Sequence, residues 1–222
     1  MSRYCPLCEN IVEKFNSFGL IPREDASCPI CHSLERHRLL WLYIKNKQNL
    51  LSDFTGKMLH VTPERIFSKL FKEKLKENYL SADLYNTNAM VQMDITNINY
   101  SDETFDYIYC SHVLEHVLDD RKAMKEFHRV LKKDGWAILL VPIADQEITY
   151  EDSSIVEPEE REKAFGQKDH VRVYGRDYFD RLKKSGFSVE TISPKDFLSD
   201  DEIVQMGITK ASGEIFFCTK RS

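Results

Sequence analysis

The chain has 222 residues, 42% hydrophobic and 30% charged, which suits one medium domain with a small added module. Its net charge of −5 offers no general attraction to phosphate backbones. Neither a membrane-length apolar run nor a leader pattern is found, so no membrane association and a cytoplasmic location are the expectations. Six cysteines do not make a secreted disulfide scaffold here, because four form two Cys-x-x-Cys pairs and Cys110 and Cys218 fall inside predicted strands.

Residues 1–32 carry Cys5, Cys8, Cys28 and Cys31 in the pattern C-x2-C-x19-C-x2-C, with few apolar residues between the pairs. Two such loops present four thiolates to a tetrahedral Zn2+, at about 2.3 Å each. A segment this poor in apolar residues needs the metal to stay folded. Four protein ligands leave no open position, so the expected zinc is structural. Asp25 and His32 are nearby polar residues, read as solvent-facing. Arg3, Lys14 and Arg23 against Glu9, Glu13, Glu24 and Asp25 give a formal −1, and a four-thiolate zinc adds about −2. That balance argues against nucleic acid and favours a ribbon that contacts a protein partner or braces the fold. Ser33 is placed to cap a helix over 33–52 that bridges from the ribbon (1–32) into a main domain (33–222).

In the main domain, Lys57–Val61 reads as a strand, and Glu64–Lys76 as a helix with Ile66, Phe67, Leu70 and Phe71 on one side. Tyr79–Leu84 is a second strand ending at Asp83, and Val91–Ile95 a third ending at Asp94. Tyr85–Met90 between them is too short for a crossover helix. Phe105–Ser111 is a buried fourth strand. Asp119 and Asp120 can cap a helix in which Met124, Phe127 and Leu131 recur at helical spacing, with Gly135 as its closing residue. Trp136–Ile143 is a nearly unbroken apolar strand, as in a sheet covered on both faces. An acidic connection over 145–169 reads as a solvated loop or a lid. A helix over Arg176–Lys184 closed by Gly186 and strands at Phe187–Ile192 and Glu214–Thr219 complete the chain. Strands alternating with helices imply a Rossmann-like, mostly parallel α/β sheet with right-handed crossovers.

In such sheets ligands sit beyond the carboxyl ends of the strands. Asp83 and Asp94 stand there, able to accept hydrogen bonds from ribose hydroxyls and an adenine amino group respectively. The blocks YLSADL, VQMDI, FDYIYCSHVLEHV, RVLKKDGWAILLVP and YGRDYFDRLKKSGF occur in this order across 33–222. In them the chain resembles class I S-adenosylmethionine-dependent methyltransferases, the type 11 domain group, with a zinc ribbon in front. The resemblance implies a seven-stranded sheet, with Asp83 on the ribose and Asp94 and Ile95 on the adenine. It also implies Ser111 and His112 beneath the methionine part. Where that family has a glycine-rich loop, this chain has HVTPE, residues 60–64. There Glu64 is either a ligand for the donor's amino group or a helix-start acid favoured by the dipole.

The string HVLEH, residues 112–116, also fits the H-x-x-E-H pattern of a zinc protease. That chemistry needs both histidines on one helix face, whereas His112 directly follows a strand, so the reading is set aside. Methyl transfer to an oxygen or nitrogen that carries a proton calls for a base, and His112, His116 and His170 are the candidates. The expected activity is methyl transfer to O or N of a small-molecule or saccharide acceptor. The alternatives are an RNA methyltransferase using the ribbon, and a non-catalytic donor- or partner-binding module.

Overall fold

The computed structural model describes residues 2–19, 21–47 and 55–220. Two compact units divide the chain: Met1–Phe54 with Ile192–Ile215, and Thr55–Thr191 with Phe216–Ser222. The first holds two short hairpins, β1 (Arg3–Cys5) with β2 (Asn10–Val12) and β3 (Asn16–Phe18) with β4 (Arg23–Ser27). Helix α1 (Glu35–Asn46) follows. Ser33 does not cap α1: Leu34 holds that position, and the Ser33 hydroxyl instead meets the sulfurs of Cys5 and Cys31 at 3.2 Å.

The second unit is built on a seven-stranded sheet whose strands are β5 (Met58–Val61), β6 (Tyr79–Asp83), β7 (Val91–Gln92), β8 (Phe105–Ser111), β9 (Leu131–Leu140), β12 (Phe187–Ile192) and β13 (Ile215–Lys220). Their spatial order is β12-β13-β9-β8-β5-β6-β7. The pairs β5–β6, β5–β8, β6–β7 and β8–β9 are parallel, and β13 runs antiparallel to β9. Helices α2 (Arg65–Leu75), α3 (Asp120–Val130) and α5 (Tyr178–Lys184) bury Phe67 and Phe71, Met124 and Phe127, and Tyr178 and Leu182. Cys110 and Cys218 are buried strand residues, as expected. None of the described helices is long and apolar enough to cross a membrane.

Several boundaries differ from expectation for local reasons. The third strand ends at Gln92, because Asp94 Oδ1 accepts from both the backbone N–H and the hydroxyl of Thr96, at 2.8 Å each. Such a side-chain turn competes with the ladder, so Asp94 lies just past the strand. Gly135 does not close a helix. Helix α3 stops at Val130, and Leu131 already pairs with Phe105 as the first residue of β9. From there Leu131–Trp136 bulges opposite Phe105–Tyr107. A Cβ on Gly135 would lie 2.7 Å from the Asp106 carbonyl, so the glycine permits close backbone approach. The acidic connection is not a bare loop: it contains β10 (Tyr150–Glu151) and α4 (Pro158–Phe165). Strand β11 (Arg172–Val173) then pairs antiparallel with β10.

Inside the sheet, His60 of β5 is wholly buried among Phe71, Tyr79 and Tyr109. Its Nδ1 lies 2.9 Å from the Tyr79 hydroxyl, and Nε2 accepts from the Glu64 N–H at 3.4 Å. Burial depresses its pKa to about 4, with Glu64 opposing weakly. The unfolded chain takes this proton near pH 6.5 and the folded one only near 4. The folded state therefore has its full stability above pH 6.5 and loses it as pH falls toward 4, by about 3 kcal/mol in all at 1.36 kcal/mol per unit. Urea unfolding from pH 7 to 5 should show a decline that is shallower in His60→Gln; equal slopes would contradict this role for His60.

Candidate functional site

Connections from β5 run outward through β6 to β7 on one side, and those from β8 run to β9 on the other. The carboxyl ends of β5 and β8 therefore flank the point where strand order reverses, which opens a crevice between their outgoing loops. The loop after β5 has Thr62 at φ 47°, a left-handed conformation that glycine adopts without strain and a β-branched residue rarely takes. Its N–H bonds the Ala82 carbonyl at 2.8 Å, so the chain makes the tight turn without glycine. Glu64 then begins α2 and accepts a 2.6 Å hydrogen bond from the Tyr109 hydroxyl of β8.

Asp83 closes β6, 9% exposed, with Oδ1 accepting from the N–H groups of Tyr85 and Asn86 at 2.8 Å. This Asx turn orients the carboxylate. Ile95 is buried beside the exposed turn of Asp94. Ser111 ends β8 with its hydroxyl oxygen buried and unpartnered among the described residues. His112 follows at φ 54°, its N–H on the Leu140 carbonyl and its Nδ1 3.3 Å from Glu115 Oε1.

Residues Leu114–His116 form one short 3-10 turn, and it meets a distant segment. Val171 N–H bonds the Glu115 carbonyl at 2.9 Å, and the rings of His116 and His170 lie edge to face at 4.7 Å. Arg172 fixes this junction: Nη1 donates to the carbonyls of Leu114 (2.7 Å) and Val117 (2.5 Å), and Nη2 to that of Leu118 (2.9 Å). Its Nε pairs with Glu151 at 3.0 Å. Buried Asp120 takes the Tyr174 hydroxyl at 2.7 Å and Arg181 at 3.1 Å. Asp119 alone caps α3, so the two adjacent aspartates have different tasks. Burial and the neighbouring His116 hold the His170 pKa below its ordinary value. Glu115 and Arg172 were not among the residues singled out for the site, and only the charged letters in HVLEH and DHVRVYG hinted at them.

In the other unit, the sulfurs of Cys5 and Cys31 are 3.5 Å apart and those of Cys8 and Cys28 are 3.8 Å apart. All four lie within 4.8 Å of one another, and none is in a disulfide. A four-sulfur zinc tetrahedron has edges of about 3.8 Å, so the set fits the ion. Both loops close alike: Glu9 N–H bonds the Cys5 carbonyl, His32 N–H bonds the Cys28 carbonyl, and Glu9 and His32 take φ of 57° and 61°. The shared Cys5–Cys31 hydrogen bond lowers the Cys5 pKa and raises that of Cys31, so the two sulfurs act as one coupled pair. Asp25 turns to the protein, bonding Arg3 and the Phe15 N–H. Arg38 is fully buried, donating to the carbonyls of Ala26, Ser33, Met206 and Gly207 over the Phe15 ring.

Residues 47–139 match the family described as a methyltransferase domain. The YcgJ protein of Bacillus subtilis is similar at 19% identity, with 84% of this chain and 99% of that one covered and a TM-score of 0.56. An S-adenosylmethionine-dependent methyltransferase from Mesorhizobium loti is similar at 15% identity over 81% of this chain and 97% of that one, with a TM-score of 0.54. No curated protein matches the chain. The seven-stranded sheet has the Rossmann-like fold of these structures, and residues 47–139 match the methyltransferase domain model.

Elemental analysis of the purified chain should find one zinc per chain, and Cys28→Ser should lose it together with the ordered amide signals of residues 2–33; a zinc-free chain with an ordered ribbon would refute the assignment. Thr62→Gly should hold or raise the thermal midpoint, because relief of left-handed strain offsets the roughly 1 kcal/mol that glycine ordinarily costs. A drop of the full glycine cost would show that Thr62 is unstrained.

Proposed function

We propose that this chain transfers a methyl group from S-adenosylmethionine to an oxygen or nitrogen of a small-molecule or saccharide acceptor. The observation that carries the reading is the set of polar groups at the strand ends: Asp83, Glu64 and the unpartnered Ser111 hydroxyl on the adjacent strands or loops of β6, β5 and β8. The domain match over 47–139 supports the same reading.

The residues suit the donor. Asp83 spends Oδ1 on its own turn, and Oδ2 has no partner among the described residues, so it can accept from ribose hydroxyls. Asp94 repeats the arrangement one strand over, next to buried Ile95 for the adenine. Ser111 offers a buried hydroxyl to the methionine part, and Glu64, held by Tyr109, supplies a carboxylate for its amino group. When bound, the donor supplies a sulfonium-activated methyl carbon. Rate then comes from alignment of that carbon with the acceptor, and from removal of the acceptor proton. His112, His116 and His170 are the bases proposed for that proton; each is tied by Glu115, Asp169 or a backbone carbonyl, which sets its ring orientation.

The four cysteines are assigned a structural zinc, and the ribbon a protein partner. Ile11, Ile21 and Ile30 stand exposed on it at 71%, 85% and 52%, apolar surface that suits a protein better than a nucleic acid.

Calorimetry with S-adenosylmethionine tests the donor. Asp83→Asn and Asp94→Asn keep the Oδ1 turns but lose the charge. Each should weaken binding roughly tenfold or more, the equivalent of one charge-assisted hydrogen bond. Unchanged affinity in both would refute this nucleoside pose. Binding by the unaltered chain with no transfer across hydroxyl and amine acceptors would favour the non-catalytic module.

A further inference from the structure

The side chains of Glu115, His116 and His170 each offer a ligand atom within 4.8 Å of the others. Glu115 is 2% exposed, and its Oε2 is buried without a hydrogen-bond partner among the described residues. A buried carboxylate oxygen left unbonded is costly unless something positive meets it. Among the described residues, the only ion-pair partner of Glu115 is His112, on the other oxygen, Oε1, at 3.3 Å.

The His116 imidazole is held from behind. Its Nδ1 faces the Asp169 carboxylate at 3.2 Å and the Asp169 carbonyl at 3.3 Å, which turns Nε2 away from them. The His170 ring is buried and packs edge to face against that of His116 at 4.7 Å. Ligating histidines characteristically donate their second ring nitrogen to a carboxylate or backbone carbonyl in this way, which fixes tautomer and direction. His112 plays the corresponding part for the carboxylate. The junction is braced by the Arg172 bonds to Leu114, Val117 and Leu118, so the three groups are presented by a fixed scaffold.

We infer that Glu115, His116 and His170 form a second metal site, for a borderline divalent ion such as Zn2+, Mn2+ or Fe2+, with positions open to a hydroxyl acceptor. Two imidazoles and one carboxylate are a borderline donor set, and three protein ligands leave room for an exogenous oxygen. This differs from the H-x-x-E-H reading, since the second histidine comes from residue 170 and His112 supports from behind.

The site stands on these residues alone; its acceptor class rests on the methyl-transfer reading. With His116 and His170 bound to the ion, neither would serve as the base; a hydroxyl at the open position would instead become acidic enough to lose its proton to solvent near neutral pH. Its oxygen then forms a bond to the methyl carbon as the carbon–sulfur bond breaks. The electron pair returns to sulfur, and the products are a methyl ether, S-adenosylhomocysteine and one proton.

The test is a Co2+ titration of the zinc-loaded full chain without donor, followed by visible absorption and by elemental analysis after desalting. One Co2+ beyond the ribbon zinc is expected, with weak ligand-field bands and no thiolate charge-transfer band. Binding should weaken at least tenfold in both His170→Ala and Glu115→Gln, the second guarding against a folding defect in the first. No ion beyond the ribbon zinc, or equal binding by both variants, overturns the site. Calorimetry with S-adenosylmethionine on the same samples separates the two readings: donor without cobalt sinks the metal site alone, and cobalt without donor sinks the hydroxyl-methylation role.

Discussion

The site depends first on a buried cation. Arg172 is 3% exposed and spends its guanidinium on three carbonyls of the turn after β8. Those carbonyls belong to a 3-10 turn and its flanks; that of Leu114 also accepts from the Val117 N–H and the Tyr174 hydroxyl at 3.3 Å each, so the guanidinium joins it to the carbonyls of Val117 and Leu118 in one cluster. The guanidinium in turn needs counter-charge in the interior, which Glu151 and Asp120 provide while sharing Arg181. Such a cluster adds little net stability, because desolvation consumes most of the attraction, but it strongly disfavours any other arrangement of its members. Its effect is to lock β10, β11, α3 and α5 onto one turn, and so to present Glu115 and His116 to His170.

The sheet was legible to the extent that its strands are uniformly apolar. Phe105–Ser111, whose last four residues are buried, begins and ends where the side-chain pattern says, because burial leaves no competing arrangement. Misreadings cluster where backbone geometry overrides pattern. Gly135 looks like a helix terminator and is a close-approach residue; Ser33 looks like a cap and serves the cysteine sulfurs. Asp83 at the end of β6 and Asp94 just past β7 were legible because they follow strands. The junction of His116 with His170 was not, because its partners are more than fifty residues apart and no local signal links them. Arg172 was hidden for the same reason, since a buried arginine carries no mark in sequence that separates it from a solvated one.

The loop after β5 makes its tight turn without the glycine-rich run expected there, and for a physical reason. Thr62 accepts the left-handed conformation and the Ala82 carbonyl holds it there, so the turn keeps its backbone course while gaining a side chain. The same device recurs at Glu9 and His32 in the cysteine loops and at His112 beyond β8. In each case a hydrogen bond from the turn's own backbone N–H holds the left-handed residue in place, the pattern expected where the surroundings over-determine a turn. In the ribbon unit, burial lowers the pKa of Arg38, while the nearby Cys5, Glu35, Cys28 and Asp25 oppose that shift, so the cysteine cluster and two carboxylates share its counter-charge.

Arg38 has a further consequence, in time. Two of its carbonyl partners, Met206 and Gly207, come 168 and 169 residues later in the chain. At the ribosome, with roughly 5–20 residues added per second, the first cysteine loops emerge on the order of ten to thirty seconds before their arginine can be satisfied. During that interval a guanidinium destined for the interior remains hydrated and the hairpins have only the metal to organise them. The zinc unit, although first out of the tunnel, is thus completed only after β5–β9 and β12 of the sheet have been synthesised between its two halves, with β13 alone still to follow.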